Sequence, residues 1–536
     1  MSNDKLRSIV LISLDTLRYD CVGACPQKTH LAAYGLESEV DTPNLDEFFG
    51  QSMYFTDCLS AAPLTTPSHA SLLSGLWPAQ HGARALFTWA VRPEVRMLAE
   101  ELKERGYTTI AVLENGESNW MWAGSDVLRG FDELFTDEAE ACRRIASGEG
   151  PFLVFLHTWD IHTPYCWSYI PEVRAHDEAR RRAVEDVRRT LGIEGSDGDD
   201  NPDHMVFYRQ AVRRARRELD GPEAVRLFLR WFVQGVNWFD RYRWPRIADA
   251  LRGAGLWHNA FIAAFADHGE AVKPDSGGPP IKHIDTLLDD VLRVPLAIRA
   301  PGLEAGQVAG RVSLVDVAPT IMEYLGLPPD AVGTDGRTDG RSLLERAGGE
   351  RPFFAEAWIW NKLLSPPRVR HDPDAEEMLQ EIWSPAGACM MQGALKLLWH
   401  PGPLGLKRFR APERALSPVA LLKRAARTVL PERIVKAVHD LRVRRRKGRA
   451  RASMPDPEAL YGWRPAPMFM LDLNEDPLEM HPRRLKPARM AEEERAMLDR
   501  LRDYWQSGVL GPRIELESRE EEERVLQNLK DLGYVD

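Results

Sequence analysis

The sequence predicts an α/β fold: a central sheet flanked by helices, followed by a smaller C-terminal α+β region. Short apolar runs alternate with helix-length segments through the first 300 residues, a pattern typical of a sheet covered on both faces. Further apolar runs at residues 393–399 and 468–473 could pair as strands of a second region. We therefore expect one large domain at residues 1–350 and a C-terminal subdomain at residues 351–536.

Five apolar runs are predicted as strands of the central sheet: residues 8–14, 108–113, 152–157, 261–266 and 294–299. Two stretches interrupt the pattern. Residues 170–227 are charged and rich in arginine, which predicts a helical insertion. Residues 400–455 form a second insertion, because the part that begins at Lys407 and ends at Arg451 has sixteen lysines and arginines against three acidic residues. Such a basic segment is usually a solvated insertion, and peripheral contact with an anionic membrane or a polyanionic partner is the alternative.

Composition excludes several classes of protein. The 536 residues are 44% hydrophobic and carry a net charge of −10, so the chain can form a core and is unsuited to coating nucleic acid. The six cysteines are scattered without a Cys-x-x-Cys pair, which favours free thiols in a reducing compartment. The first apolar run is too short for a membrane span, and it lacks the small-residue cleavage site of a signal peptide. We expect a cytoplasmic protein that binds no nucleic acid.

Acidic and histidine residues follow several of the apolar runs. They are Asp15, the pair Asp160 and His162, the pair Asp267 and His268, and His283 in a loop before another strand. Residues two apart on an extended strand point the same way, so Asp160 and His162 could reach one ion together. Aspartate and histidine are ligands of Zn²⁺, Mn²⁺ and similar cations. Together these positions predict a metal site at the carboxyl edge of the sheet.

A helix is predicted within the sequence APLTTPSHASLLSG at residues 62–75. Pro67 fits the first helical turn, with Thr65 or Thr66 just ahead of it. A hydroxyl at the start of a helix lies where free N–H groups favour an anion. An ordinary helix cap is the other interpretation of this hydroxyl.

The stretch TTPSHASLLSGLWPAQHG at residues 65–82 resembles the signature of the sulfatase family of the alkaline phosphatase superfamily. Six further segments match in family order: Asp15 itself, TPNLD at 42–46, DIHTPY at 160–165, ADHGE at 266–270, RVPL at 293–296 and LDLNEDP at 471–477. The resemblance covers most of the chain outside the two insertions. It implies the sulfatase-like fold.

The sequence departs from that family at several positions. Sulfatases carry a Cys or Ser, oxidised to formylglycine, where this chain has Thr65, and an Arg where it has His69. Threonine cannot become formylglycine, because its β-carbon carries a methyl group. Thr16 replaces the second acid of the family's Asp-Asp pair, and LENG at residues 113–116 replaces the family's Gly-Lys-Trp-His.

The resemblance also implies roles for individual residues. Thr65 is the expected nucleophile, and the first metal site is expected to comprise Asp15, Thr65, Asp267 and His268. A second metal site would comprise Asp160, His162 and His283, with His162 also touching substrate. His69 either donates a hydrogen bond to the negatively charged oxygen that develops on the substrate or caps its own helical turn. Asn115 either contacts substrate oxygens or is an ordinary loop residue.

These residues together predict a metal-dependent hydrolase of phosphate or phosphonate esters, diesters included, acting on a small anionic substrate. The cofactor would be one or two divalent ions, with Zn²⁺ or Mn²⁺ favoured and Ca²⁺ or Mg²⁺ also open. One alternative is a sulfatase that works without formylglycine, and another is a silent relative that only binds an anion or a partner. A transferase that acts on membrane lipid is a further and weaker alternative.

Overall fold

The computed structural model describes the following residues: 7–86, 89–113, 122, 124–165, 168, 172, 177–193, 204–271, 283, 286–344, 351–360, 383–399, 468–479, 481–509 and 511–512. Asn115 and the basic segment at 407–451 lie outside them. The structural statements below concern these residues.

Eight strands form the central sheet: β1 (Ile9–Leu14), β2 (Met53–Leu59), β3 (Thr108–Leu113), β4 (Glu133–Phe135), β5 (Phe152–Thr158), β6 (Phe261–Phe265), β7 (Arg293–Arg299) and β8 (Gly306–Ser313). Their order is β4-β3-β5-β1-β6-β7-β2-β8. Strand β1 is central, with β5 and β6 as parallel neighbours. Strand β7 pairs antiparallel with both β6 and β2. All residues of β1, β5 and β6 are buried, as expected for a sheet that is covered on both faces.

Five strands form a second, antiparallel sheet: β9 (Phe353–Trp360), β10 (Trp383–Gln392), β11 (Leu395–Trp399), β12 (Met468–Asp472) and β13 (Arg483–Arg484). Arg84, which follows helix α4 (Pro78–His81), contacts the second sheet, since its guanidinium donates to the carboxylate of Glu356 on β9 at 2.6 and 2.5 Å. The guanidinium carbon of this buried arginine also lies 4.9 Å from the ring centroid of Trp358 and 4.5 Å from that of Trp505. The buried apolar residues of both sheets belong to one core.

The α-helices are α1 (Thr29–Ala33), α2 (Pro43–Gly50), α3 (Thr65–Ser74), α4 (Pro78–His81), α5 (Leu98–Glu104), α6 (Glu138–Ala146), α7 (Asp177–Leu191), α8 (His204–Glu218), α9 (Gly221–Trp238), α10 (Trp244–Gly253), α11 (Asp289–Leu292), α12 (Val317–Tyr324) and α13 (Glu492–Ser507). A π-helical turn at Phe239–Arg243 joins α9 to α10. Helix α9 begins with a capping box formed by Asp220 and Glu223.

The predicted fold class is confirmed. Each of the five runs predicted for the central sheet is a strand, and the two apolar runs of the C-terminal region pair as β11 and β12. The predicted helical insertion corresponds to α7 and α8. The domain boundary at residue 350 stays a prediction, although the second sheet starts just beyond it.

Two further expectations concern the environment of the chain. Cys21, Cys25, Cys58, Cys142 and Cys389 are buried free thiols, and Cys166 lies outside the described residues. In the part of the chain that the structure describes, no helix has both the length and the apolar composition that a membrane crossing requires. The cytoplasmic location stays a prediction.

Candidate active site

The ends of strands β1 and β6 meet at one edge of the central sheet. Asp15 directly follows β1, and Asp267 and His268 come just after β6. The strands are parallel neighbours, so their carboxyl ends lie side by side, where open α/β sheets bind ligands. One carboxylate oxygen from each aspartate and one ring nitrogen of His268 lie within 4.8 Å of one another. The structure therefore brings these three predicted residues into one cluster.

This cluster fits a divalent cation. Both carboxylate oxygens of Asp15 and Oδ2 of Asp267 are buried and have no hydrogen-bond partner among the described residues. Nδ1 of His268 lies 3.1 Å from the carbonyl oxygen of Gly269, which can only accept, so Nε2 presents a lone pair. That nitrogen is 3.4 Å from Asp267 Oδ2 and 3.9 Å from Asp15 Oδ1. Buried negative groups that face one another are costly, and a cation bound between them removes that cost.

Burial and mutual repulsion change the acidity of the two aspartates. Burial, followed by the negative charge of Asp267, raises the pKa of Asp15 to about 7. Although burial opposes it, the neighbouring His268 and His69 hold the pKa of Asp267 below its usual value. Two buried carboxylates this close resist ionising together when no cation is bound. The metal-free pair therefore keeps one proton, on Asp15, up to about neutral pH.

Thr65 lies beside this cluster as the first residue of helix α3. Its hydroxyl oxygen is 3.5 Å from Nε2 of His268, the nitrogen that also faces both aspartates. The first N–H groups of a helix lack partners within the helix and favour negative charge nearby. A hydroxyl in this position can act as a nucleophile when a bound cation lowers its pKa. The role of Thr65 itself stays a prediction.

Thr16 has a strained backbone next to the cluster. Its φ is 60°, a left-handed conformation that is rare for a β-branched residue. Its N–H donates to Oδ1 of Asp267 at 3.3 Å, so the strained turn after β1 helps to hold the aspartate that follows β6. Strain of this kind persists where the surrounding structure enforces it, and functional sites are common examples.

His69 lies one turn further along α3, and both of its ring nitrogens are engaged. Nδ1 is 2.8 Å from the carbonyl oxygen of Thr65, and Nε2 is 2.8 Å from the hydroxyl of Ser13. Burial lowers the pKa of His69 to about 3, so the ring is neutral. These contacts match the alternative in which His69 caps its own turn rather than donating to an oxyanion.

The structure does not bring Asp160 to the cluster. Its carboxylate accepts a hydrogen bond from Nε of Arg243 at 3.0 Å, in an ion pair that is completely buried. Arg243 also donates to Glu138. The sequence argument took Asp160 and His162 as neighbours on one face of a strand, but β5 ends at Thr158 and the chain then turns. Asp160 therefore belongs to an ion-pair network rather than to a strand face shared with His162, and its role as a ligand of a second ion stays a prediction.

His162 and His283 do lie together, next to the first cluster. The centroids of their rings are 5.6 Å apart, and the ring of His283 is 4.4 Å from that of His268. Nδ1 of His283 is 3.0 Å from Oε1 of Glu270. Burial lowers the pKa of His162. Among the described residues these side chains do not form a second group with metal-ligand spacing, so a second ion stays a prediction.

Three residues of this region were not expected from the sequence. Glu270 belongs to the matched segment ADHGE. Its position in the sequence close to the predicted residues Asp267 and His268 could have identified it. His157 ends the buried run of β5, and its Nε2 is 3.4 Å from Oδ2 of Asp15. Ser13 lies within β1, where a single serine in a buried strand gives no pattern to recognise. Asn115, the expected substrate contact, lies outside the described residues.

The arrangement agrees with a comparison against known families. A model of the family described as Sulfatase matches residues 7–327 of this chain, which is more than half of its length. This chain belongs to the Sulfatase family. The matched range contains every predicted site residue from Asp15 to His283.

Several curated proteins to which this chain is similar are sulfatases. N-acetylgalactosamine-6-sulfatase of Mus musculus is 24% identical over 65% of this chain and 68% of its own length. Its counterpart in Homo sapiens is 25% identical over 60% and 65%. An uncharacterized sulfatase of Escherichia coli is 24% identical over 55% and 65%. This Sulfatase-family chain thus spans about two thirds of the length of these relatives.

Solved structures share the fold. A Bacteroides fragilis protein described as a sulfatase has a TM-score of 0.56 at 12% identity, with 96% of this chain and 99% of that chain covered. A protein of glycosaminoglycan metabolism in Bacteroides thetaiotaomicron has a TM-score of 0.55 at 15% identity, with 98% and 97% covered. These low identities establish the sulfatase fold and nothing more specific.

Proposed function

We propose that this Sulfatase-family protein is a metal-dependent hydrolase of phosphate or phosphonate esters, with Thr65 as its nucleophile. The observation that carries the proposal is the hydroxyl of Thr65, 3.5 Å from His268 Nε2. This nitrogen also faces the buried carboxylates of Asp15 and Asp267, three of whose oxygens have no hydrogen-bond partner among the described residues. A hydroxyl at the start of a helix and next to a cation-binding cluster has the surroundings that an attacking alkoxide needs.

Asp15, Asp267 and His268 would hold the divalent cation. When bound, this ion supplies positive charge that lowers the pKa of a nearby hydroxyl and stabilises charge on phosphoryl oxygens. Thr65 Oγ1 gives up its proton to water and forms a bond to phosphorus as the bond from phosphorus to the ester oxygen breaks. The leaving alkoxide takes up a proton. Water then attacks phosphorus, the bond to Thr65 Oγ1 breaks, and Oγ1 regains a proton as phosphate, a phosphate monoester or phosphonate is released.

The side chain of Thr65 favours phosphoryl over sulfuryl transfer. A formylglycine hydrate has two hydroxyls on one carbon, so its sulfate ester can break at the carbon–oxygen bond. Thr65 has one hydroxyl on a carbon that bears a methyl group, so this route is closed. An ester formed on Thr65 must be cleaved by water at the central atom.

Hydrolysis of sulfate esters without formylglycine is the second candidate. The relatives named above support it, because the mouse and human proteins are called sulfatases. A protein that only binds an anion is the third, and the intact group of Asp15, Asp267 and His268 argues against it.

Turnover of four matched nitrophenyl substrates tests the proposal. Protein loaded with Mn²⁺ or Zn²⁺ is assayed on a phosphate monoester, a phosphate diester, a phosphonate ester and a sulfate ester. We expect phosphoryl substrates to be preferred and a chelator to abolish turnover. Thr65→Ala should lose on the order of 10³-fold or more in kcat, while Thr65→Ser, which keeps the hydroxyl, should retain activity.

Each other outcome has a meaning. A preference for the sulfate ester would favour the second candidate. Unchanged turnover in Thr65→Ala would refute the assignment of the nucleophile. Binding of metal without turnover of any substrate would favour the third candidate.

A further inference from the structure

Three polar side chains lie behind the metal cluster, inside the core. They are Ser13 on β1, His69 on α3 and His157 on β5, and each is completely buried. Buried polar groups are costly unless they are hydrogen-bonded. Because these three come from separate elements, their contacts tie together the two strands and the helix that carry the candidate site. We call them the rear relay.

The contacts of the rear relay have a defined direction. Nδ1 of His69 faces a carbonyl oxygen at 2.8 Å, so it must carry the hydrogen, and Nε2 of the neutral ring accepts. The Ser13 hydroxyl therefore donates to His69 Nε2 at 2.8 Å. Having donated its one hydrogen, Ser13 accepts from Nδ1 of His157 at 3.2 Å. Ser13 thus fixes the tautomer and orientation of His157.

Both ends of the rear relay reach the candidate site. At one end, Nε2 of His157 is 3.4 Å from Oδ2 of Asp15. Because the hydrogen of this neutral ring is on Nδ1, Nε2 packs against Asp15 without donating to it. At the other end, His69 Nδ1 contacts the carbonyl of Thr65 and lies 3.9 Å from Oδ2 of Asp267. The relay therefore borders both aspartates and the residue that carries the hydroxyl.

Aromatic packing holds the two rings in place. The His69 ring packs edge-to-face against Trp122, Phe155 and His157, with centroids 5.1, 5.3 and 5.0 Å apart. Such packing leaves the rings few alternative rotamers. Side chains that are fixed by packing and hydrogen bonds can in turn fix the groups they contact.

We infer that Ser13, His69 and His157 are positioning residues, which fix the start of α3 and the His157 ring against which Asp15 packs, in the geometry that binds the divalent cation. The inference rests on the proposed function, since it gives the relay a role toward that cation. Partners of metal ligands typically change metal affinity by about 10–100-fold when they are replaced. If the relay had a purely structural role, replacing one of its residues would change the stability of the fold and leave the metal affinity unchanged.

The chain offers a matched control for Ser13 on the same helix that carries His69. Ser71 is also completely buried, and its hydroxyl is 3.0 Å from Nε2 of His81. Ser71→Ala and Ser13→Ala therefore each remove one buried serine–histidine hydrogen bond. Only Ser13 borders the candidate site.

The experiment measures the Mn²⁺ dissociation constant of the full chain by calorimetry, together with the free energy of unfolding in urea. We expect Ser13→Ala to weaken Mn²⁺ binding by about tenfold or more and Ser71→Ala to leave it unchanged. Ser13→Thr, which keeps the hydroxyl, should restore binding. His157→Gln tests the same relay from its other end and should also weaken binding.

Equal Mn²⁺ affinity in Ser13→Ala, Ser71→Ala and the unmodified chain would overturn the relay while leaving the proposed function intact. If Asp15→Asn binds Mn²⁺ as tightly as the unmodified chain, Mn²⁺ binding does not depend on Asp15. Both the relay and the proposed function would then be overturned. Equal losses of unfolding free energy in the two alanine variants, with weaker Mn²⁺ binding only in Ser13→Ala, would establish the positioning role.

Discussion

Metal binding at the candidate site is expected to depend steeply on pH below neutrality, because a proton competes for Asp15. Burial and the nearby Asp267 raise the pKa of Asp15 to about 7, far above the ordinary value for an aspartate. The proton and the metal ion would occupy the same carboxylate. Lowering the pH therefore protonates a proposed ligand and weakens the binding of a divalent cation.

The size of the effect follows from that pKa. Two pH units below it, at pH 5, the protonated form of Asp15 exceeds the ionised form by about 100-fold. From this one proton, the apparent dissociation constant should then rise by about 50-fold between pH 7 and pH 5, with the slope approaching tenfold per pH unit well below 7. Above pH 7 Asp15 is mostly ionised, so its contribution to the pH dependence should level off.

Calorimetric titration of the full chain with Mn²⁺ at pH 5, 6, 7 and 8 measures this dependence. Repeating the titration in two buffers with different ionisation enthalpies counts the protons released on binding. We expect close to one proton from Asp15 below pH 7, and Asp15→Asn should lose tight binding altogether. A dissociation constant that stays the same from pH 8 to pH 5 would refute the reasoning, because Asp15 would then be ionised throughout.

Three other predictions follow from the described contacts. Asp160→Asn should leave Mn²⁺ affinity unchanged, since this carboxylate pairs with an arginine; a large loss of affinity in titration would contradict the ion-pair assignment. Arg84→Met should lower the free energy of unfolding by about 3–5 kcal/mol in urea, because the carboxylate of Glu356 would remain buried without the cation that pairs with it. Gly269→Ala should cost about 1–3 kcal/mol by the same measurement, as its new Cβ would lie 2.4 Å from the carbonyl oxygen of Asp290; full stability would mean that the loop shifts freely.

Most of the central sheet could be predicted from the sequence because its strands are buried on both faces. A strand such as Ile9–Leu14 is then a continuous apolar run that stands out from its surroundings. Strands β2, β4 and β8 of this sheet were not predicted. Their residues are mixed in polarity, and in β8 most are partly or fully exposed. An edge strand of this kind has no apolar run to recognise.

The cluster itself could be predicted because its residues directly follow strands that are neighbours in the sheet. Predicting Asp15, Asp267 and His268 as site residues required only the fold class and the position of each apolar run. Asp160 could not be predicted in the same way, because its environment depends on a turn after β5 and on Arg243, which lies 83 residues further along the chain. Glu270 contacts His283, which lies 13 residues further along the chain, and no local pattern marks that contact.

The sequence by itself determined the fold class, the family and the residues that approach one edge of the sheet. These properties depend on hydrophobic periodicity and on motifs that are local in the chain. The tertiary structure alone decided which of these side chains share one cluster, that Asp160 pairs with Arg243, and that His69 turns toward Ser13. Such choices depend on hydrogen bonds and ion pairs between distant residues, where burial makes every unpaired polar group costly. Only the folded chain satisfies them together.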